Sequence, residues 1–436
     1  MKKGYLKLRK TSLASSLILL VFLVFNQNSY ALNFQDTSQS FDEYKGRIIG
    51  NDTKDPLVFA DISVTDSNIS TITNKEGEFT LKVPKSLSEK NVKISFLGYE
   101  TKEVSLQSLK GDNTIIALNV ITTQLSQVNI NVPKDARALV KATLENREEK
   151  YVNNKTLMTA FYRETIKKRN KNASLAEAVV KIYKEPYSTS KRDAVELVKS
   201  RKNTNYSRLD TLAVKLQGGP YSALYSDIVK YQDYIFDEEL FDYYNFSFGN
   251  STQINDRQVY VVNFEQQPNI VTPLYRGKLY IDAETFALVS ANYSLNVENK
   301  DEAVKLFLRK KPRLVRVEAE EASYRVDYKT TPDGKWYYSY SNVQLAFRVK
   351  WRKKLFSSIY TLNIEMAVTD WTKNITTALN RDNKIRPTII LTDEASGFSD
   401  PEFWGEYNII EPEKSIQSAI LKISKQLEKI DKKKER

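Results

Sequence analysis

The sequence predicts a mainly β protein: a small seven-stranded sandwich, a connecting helix, and a larger antiparallel curved sheet or half-barrel with helices. Three observations predict it. Short runs alternate apolar and polar residues along most of the chain, the period of a half-buried strand. The chain carries 26 Tyr and 19 Phe against only 13 Gly, a composition that suits pleated, half-buried surfaces. Between two strand-rich regions, residues 133–153 switch to a helical period.

The chain opens on an export signal. Lys2, Lys3, Lys7, Arg9 and Lys10 form a basic stretch, Leu13 to Phe25 an apolar run, and Ser29-Tyr30-Ala31 a small-residue cleavage site. The apolar run is shorter than the roughly 20 residues of a spanning helix, so residues 1–31 read as a cleaved signal peptide, with no transmembrane span after cleavage. Residues 32–43 are a polar linker. With no cysteine, a lipid tether on that side chain is excluded, and the expected location is the periplasm or the outer-membrane periphery. The formal charge of +12 includes five cations of the signal. The remaining excess gathers in Lys305–Arg316, Arg348–Lys354 and Lys425–Arg436. Export argues against nucleic acid as a partner and leaves anionic lipid, polysaccharide or another envelope protein.

Residues 44–132 carry the sandwich pattern. Ala60, Ile62 and Val64 alternate with Asp61 and Ser63, and Val92, Ile94 and Phe96 with Lys93 and Ser95. Asn74-Lys75-Glu76-Gly77 is a turn between two strands, with Gly77 suited to positive φ and Phe79 re-entering the core. Gly98 bends the chain before Tyr99 packs, and Pro56 stops pairing at a strand start. The succession Gly46-Arg47-Ile48-Ile49, Pro56 to Val64, Thr73 to Phe79 and Phe96-Leu97-Gly98-Tyr99-Glu100 resembles the carboxypeptidase-regulatory-like domain common in Bacteroidetes-type envelope proteins. That resemblance implies a transthyretin-like seven-stranded sandwich. It implies no peptidase, because the zinc site of such an enzyme needs histidines and this chain has none.

In residues 133–153, Ala136, Leu139, Val140, Thr143, Leu144 and Tyr151 share one stripe, which predicts a connecting helix of about five turns. Residues 154–412 then read as an antiparallel sheet domain with a tyrosine-rich insert. Its expected strands are 157–165, 175–183, 257–264, 276–281, 287–295, 323–328, 336–341, 343–351 and 360–368. The hairpin Tyr275 to Asp282 followed by Ala287-Leu288-Val289 is similar to strands of LolA/LolB-type lipoprotein carriers, which implies an incomplete barrel closed by a helix. The ending Asp400 to Pro412 is similar to that of uncharacterised envelope proteins carrying the same front domain. Residues 413–436 form a charged helical tail.

The absence of histidine and cysteine removes Ser–His–Asp and Cys–His nucleophile systems and the usual zinc sites. Carboxylate pairs, Lys nucleophiles and Ser–Lys systems remain. The densest carboxylate cluster is Asp227, Asp233, Asp237, Glu238, Glu239 and Asp242, interleaved with Tyr221, Tyr225, Tyr231, Tyr234, Tyr243 and Tyr244. Acids and aromatic platforms suit a sugar site, but the favoured reading is a solvated acidic face with tyrosines packed on the sheet. Gln217-Gly218-Gly219-Pro220 reads as a loop before this insert. No catalytic, cofactor-binding or metal residue is assigned, and no cofactor is expected. The expected function is a non-enzymatic envelope binding module, with an apolar ligand on the concave sheet face or an envelope partner. The alternative is a carboxylate-dependent glycan hydrolase using Asp237 or Glu238.

Overall fold

The computed structural model describes residues 41–111, 114–121, 135–204, 218–307, 314–353, 355–376, 379, 382–397 and 403–414. The expected signal, Gln217 and the tail beyond Lys414 lie outside the described residues.

Alternation and turn residues build the N-terminal strands as expected: β1 (Phe41–Gly50), β2 (Asp61–Val64), β3 (Ser70–Ile72), β4 (Glu78–Pro84), β5 (Asn91–Ser95), β6 (Lys102–Ser105) and β7 (Thr114–Leu118). They form two sheets, ordered β4-β1-β7 and β3-β2-β5-β6. Their inner faces enclose Ile48, Ile62, Phe79, Leu81, Val92 and Ile94, all at most 1% exposed. Gly77 has φ 74°, and a Cβ there would meet the Ile48 carbonyl oxygen at 2.5 Å. Two expectations shift. β1 begins at Phe41, inside the supposed linker, because Phe41 to Tyr44 already pair with Pro84 to Leu81. Pro56 makes an isolated bridge to Ile49 and does not open β2, which starts at Asp61.

The connecting helix is not one five-turn element. Helix α1 (Ala136–Glu145) begins at Asp135, whose carboxylate accepts from the Arg137 amide at 2.9 Å, and buries Leu139, Val140 and Leu144. Asn146 leaves helical geometry (ψ 20°), and the single turn α2 (Arg147–Lys150) follows. Tyr151 then runs extended, its hydroxyl donating to the Leu288 carbonyl at 3.0 Å.

The large sheet contains β8 (Thr156–Lys168), β9 (Lys171–Lys184), β10 (Ala194–Thr204), β11 (Tyr244–Phe248), β12 (Thr252–Ile254), β13 (Arg257–Gln266), β14 (Tyr275–Asp282), β15 (Leu288–Leu295), β16 (Val315–Thr330), β17 (Trp336–Trp351), β18 (Ser358–Lys373) and β19 (Ser396–Gly397). Its order is β11-β13-β14-β15-β16-β17-β18-β8-β9-β10-β19, with β12 also on β13. Every pairing is antiparallel except β10 with β19. The two expected strands 336–341 and 343–351 are one, β17, because pairing with β16 and β18 runs past Asn342 without a break. Strands β10 and β11 were not foreseen. Helices α3 (Pro220–Leu224), α4 (Lys300–Phe307) and α5 (Leu391–Glu394) are short inserts.

Each face of this sheet is covered differently. One face packs the main core with α1, α3 and the chain from Ile228 to Phe236. The other carries the sandwich and the C-terminal segment 403–412. There Phe161, Val179, Tyr340 and Ala367 form a cluster with Ile72 of β3 and with Trp404 and Ile410. Segment and sandwich are tied by hydrogen bonds: Thr71 Oγ1 donates to the Ile409 carbonyl at 3.1 Å, and Thr80 Oγ1 to Glu411 at 2.6 Å. Asn408 accepts from the Lys82 amide at 2.7 Å and donates to its carbonyl at 2.9 Å, completing β4 like an extra strand residue. Phe59, at φ 63°, turns its ring onto Tyr340 at 5.3 Å; so strained a backbone at a bulky residue persists only where packing holds it. Trp404, 3% exposed, packs edge-on against Phe161 at 5.4 Å. Trp404→Ala is expected to lower unfolding free energy by about 3–5 kcal/mol in urea titrations, the usual cost of emptying a buried aromatic site. A loss below about 0.5 kcal/mol, the level of an ordinary surface substitution, would show that the segment does not hold the two parts together.

Candidate functional site

The apolar strand faces expected to hold a ligand are closed from solvent. Leu362, Ile364 and Val343 are at most 3% exposed and belong to the main core. A ligand on this face would compete with the packing that now buries it. Two charged positions sit among these apolar side chains. Strand alternation puts Lys184 in line with Ala176, Ala178, Val180 and Ile182, and Glu164 in line with Met158, Ala160, Tyr162 and Ile166.

Lys184 anchors the tyrosine-rich insert. Its Nζ lies 2.8 Å from Asp193 and 2.6 Å from Asp227, all three at most 1% exposed in their side chains. Tyr187 and Tyr328 each donate to Asp227 at 2.9 Å, and Tyr231 donates to Asp193 at 2.8 Å. Burial opposes the Lys184 charge, but the two aspartates outweigh it and hold its pKa above the ordinary value. Asp227 is therefore a buried ion-pair partner, contrary to the expectation of a solvated acidic face. The rest of the cluster follows the expectation only in part, since Tyr234 and Tyr243 are exposed and do not pack on the sheet. Asp233, Glu238, Glu239 and Asp242 are exposed, while Tyr221, Tyr231 and Tyr244 pack inward. Asp237 accepts from the Glu239 amide at 2.9 Å, a turn contact. The cluster thus splits between core and surface, and Asp227 is not placed to share a substrate with Asp237 or Glu238. Gly218 and Gly219, at φ 121° and 49°, form a buried turn into α3, with the Gly218 amide donating to the Ile389 carbonyl at 2.8 Å. The signal that locates Lys184 was present in the sequence as a charged residue at core parity.

Glu164 differs from Lys184 in having no oppositely charged partner among the described residues. Tyr162 donates to it at 2.7 Å, and burial raises its pKa from 4.5 to about 7.

The face that carries the sandwich is crossed by a row of polar residues, one per strand, in direct cross-strand register. Ser247, Asn263, Lys278, Asn292, Arg325, Asn342, Glu365, Arg163, Glu177 and Arg201 follow one another from β11 to β10. The row divides in two. From Glu365 to Arg201 it is buried under the C-terminal segment. Arg163 donates to Glu177 at 2.7 Å and to the Ile410 carbonyl at 2.7 Å, and Arg201 donates to the other oxygen of Glu177 at 2.8 Å. Burial opposes ionisation of Glu177, but the two guanidinium groups prevail and hold its pKa below the ordinary range. From Ser247 to Asn342 the row lies open and lines a cavity of about 780 Å³. Of its charged lining residues, Arg325 is paired with Asp327 at 2.9 Å, whereas Arg276 and Lys278 have no acidic partner among the described residues. Glu265 is the one carboxylate in the lining. Tyr280, hydrogen-bonded to Asn292, supplies an aromatic wall. Sequence reading missed this groove, because the exact register of successive strands decides which polar residues meet.

Comparison with known proteins bears on the sandwich. Residues 44–131 match the family model described as the CarboxypepD_reg-like domain. The N-terminal sandwich is a carboxypeptidase-regulatory-like domain. That domain spans the strands from β1 to β7 and ends before α1. No curated protein matches the chain in sequence. Among solved structures, the chain is similar to a domain from Vibrio parahaemolyticus described as an outer membrane lipoprotein-sorting protein, at 12% identity, covering 57% of this chain and 94% of that one, with a TM-score of 0.24. It is also similar to a DUF1329 family protein from Desulfovibrio piger at 8% identity, covering 56% of this chain and 93% of that one, TM-score 0.22. Lipovitellin aligns at 8% identity over 52% of this chain and 26% of its own, TM-score 0.23.

The two charged sites respond differently to change. Lys184→Met leaves Asp193 and Asp227 buried without their cation and is expected to cost about 3–5 kcal/mol by chemical denaturation. Glu164 has a folded pKa above its unfolded value, so the folded state binds the extra proton and stability falls as pH rises from about 4.5 to about 7. Glu164→Gln removes that fall: the variant gains up to about 3 kcal/mol over the wild type at pH 8 relative to pH 4, read from urea unfolding at both pH values. An equal difference at both pH values would mean that Glu164 titrates alike in the folded and unfolded chain.

Proposed function

We propose that this chain is a non-catalytic cell-envelope protein that binds an acidic polysaccharide segment in the open groove of its large sheet. The observation that carries the reading is the pair Arg276 and Lys278, without acidic partners among the described residues, in a concave lining of amides, hydroxyls and an aromatic wall. Asn245, Asn263, Ser294 and Ser323 supply neutral donors and acceptors in the lining. The cations favour carboxylated or sulfated sugars over neutral ones. Export, read from residues 1–31, supports a periplasmic or outer-membrane-peripheral setting, where such polymers occur. In this reading the regulatory-like domain is a rigid buttress, fixed to the sheet by the 403–412 segment. Asp227, buried and held by Lys184, Tyr187 and Tyr328, is not part of the groove lining.

Titration calorimetry with uronic-acid oligosaccharides tests the proposal. Wild-type chain is expected to bind them, and the double variant Arg276→Ala/Lys278→Ala to bind at least about tenfold more weakly, the scale of one lost charged hydrogen bond. Neutral oligosaccharides of the same length should bind more weakly than acidic ones. Failure to bind any acidic glycan would overturn the reading, and cleavage of a bound glycan would replace it with the hydrolase.

A further inference from the structure

At one end of the large sheet the structure gathers basic segments that are far apart in the sequence. Arg316 pairs across the ladder with Lys350, and the Arg352 amide donates to the Leu314 carbonyl at 2.9 Å, so parts of the basic runs 305–316 and 348–354 are neighbours. The β8–β9 turn joins them: the Arg169 amide donates to the Ile359 carbonyl and its guanidinium to the Ser357 carbonyl, each at 3.0 Å. Two cations here are locally neutralised, Arg316 by Glu318 and Arg348 by Glu320, each at 2.8 Å. Arg169, Lys171, Lys350, Arg352 and Lys353 have no acidic partner among the described residues and are exposed.

The same end carries large exposed apolar side chains. In the turn between β17 and β18, Leu355 is 90% and Phe356 77% exposed, and Ile359 and Leu314 stand beside them at 41% and 46%. Isolated exposed apolar residues are ordinary, but two adjacent ones at the tip of a turn, ringed by cations, are not. Two large apolar side chains so exposed at a turn tip suit insertion into a deformable layer. Behind it lies a concavity of about 530 Å³ lined by Arg169, Arg348, Phe356 and Ile359, where guanidinium and apolar surface meet. That combination matches a phospholipid: phosphate at Arg169, acyl chain against Phe356 and Ile359.

We infer that the end of the sheet formed by the β8–β9 and β17–β18 turns is a docking surface for an anionic phospholipid bilayer, with Leu355 and Phe356 inserted and the surrounding Lys and Arg on the headgroups. The inference is independent of the glycan groove, which is lined by other residues.

Vesicle flotation with the full chain tests it, using phosphatidylcholine alone and phosphatidylcholine with about one-third phosphatidylglycerol. Variants share the wild-type N-terminus, so any binding by the apolar 13–25 run cancels in the comparison. Wild type should partition to the anionic vesicles more strongly than to neutral ones, with an advantage that shrinks as salt rises. Arg352→Gln/Lys353→Gln should weaken partitioning about 25-fold, roughly fivefold per cation removed at the surface. Leu355→Ser/Phe356→Ser should weaken it at least about tenfold through lost insertion. Val271→Ser, at a site 76% exposed and outside this surface, should bind as wild type. All five positions are solvent-facing, so unchanged thermal unfolding confirms that the fold is intact. Equal binding to neutral and anionic vesicles, no binding to either, or wild-type binding by both double variants would overturn the inference.

Discussion

The buried guanidinium of Arg163 is the constraint on which the arrangement of this protein depends. It is among the largest fully buried side chains and lies between the sheet and the C-terminal segment. A buried charge is tolerable only when its hydrogen-bonding capacity is met. Glu177 meets one side, and the Ile410 and Glu411 carbonyls meet the other. Those carbonyls fix the path of the segment, which in turn presents Asn408 and Glu411 to β4 of the sandwich. Glu177 is shared with Arg201, whose guanidinium stacks over Trp404 at 4.7 Å. One ionic row thus orients the segment, and the segment and its apolar neighbours join the regulatory-like domain to the sheet.

That joint explains the use made of each sheet face. A twelve-stranded sheet exposes two large surfaces, and both need covering or a polar complexion. One face is filled by helices and the insert, with Lys184 and its two aspartates pinning the insert in place. On the other, the sandwich takes the apolar register around Tyr340, Ala367, Phe161 and Val179. The polar register two residues along is divided between the segment and the open groove. Binding surfaces are therefore left where the covering stops: the groove over β11 to β17, and the strand turns at one end.

Much of this was legible from the residues alone. The sandwich strands follow from alternation and from turn residues such as Gly77, since local rules decide them. Strands β17 and β18 were legible for the same reason, though β17 was read as two because Asn342, a residue poor in β propensity, interrupts its pattern, and β16 was read only over 323–328. Helix α1 was visible but overextended, since Asn146 stops it without a glycine or proline to mark the end. Strand β10 was hidden because Glu196, Lys199, Ser200 and Lys202 break its alternation, and a bulge between Leu197 and Lys199 shifts the face. The groove and the Arg163 row were not legible at all. The groove depends on the exact register of β11 to β17, and the Arg163 row on the pairing of β18 with β8, strands far apart in the sequence.

The central claim is that sandwich, C-terminal segment and large sheet form one cooperative body. Native-state hydrogen exchange under rising denaturant tests it most directly, comparing amides of Ile62 and Ile94 in the sandwich with those of Phe161 and Ala367 in the sheet. The account predicts that all four merge into one global opening with a single free energy and a single denaturant dependence. Exchange of the sandwich amides through a separate opening of lower free energy, with the sheet still protected, would contradict it.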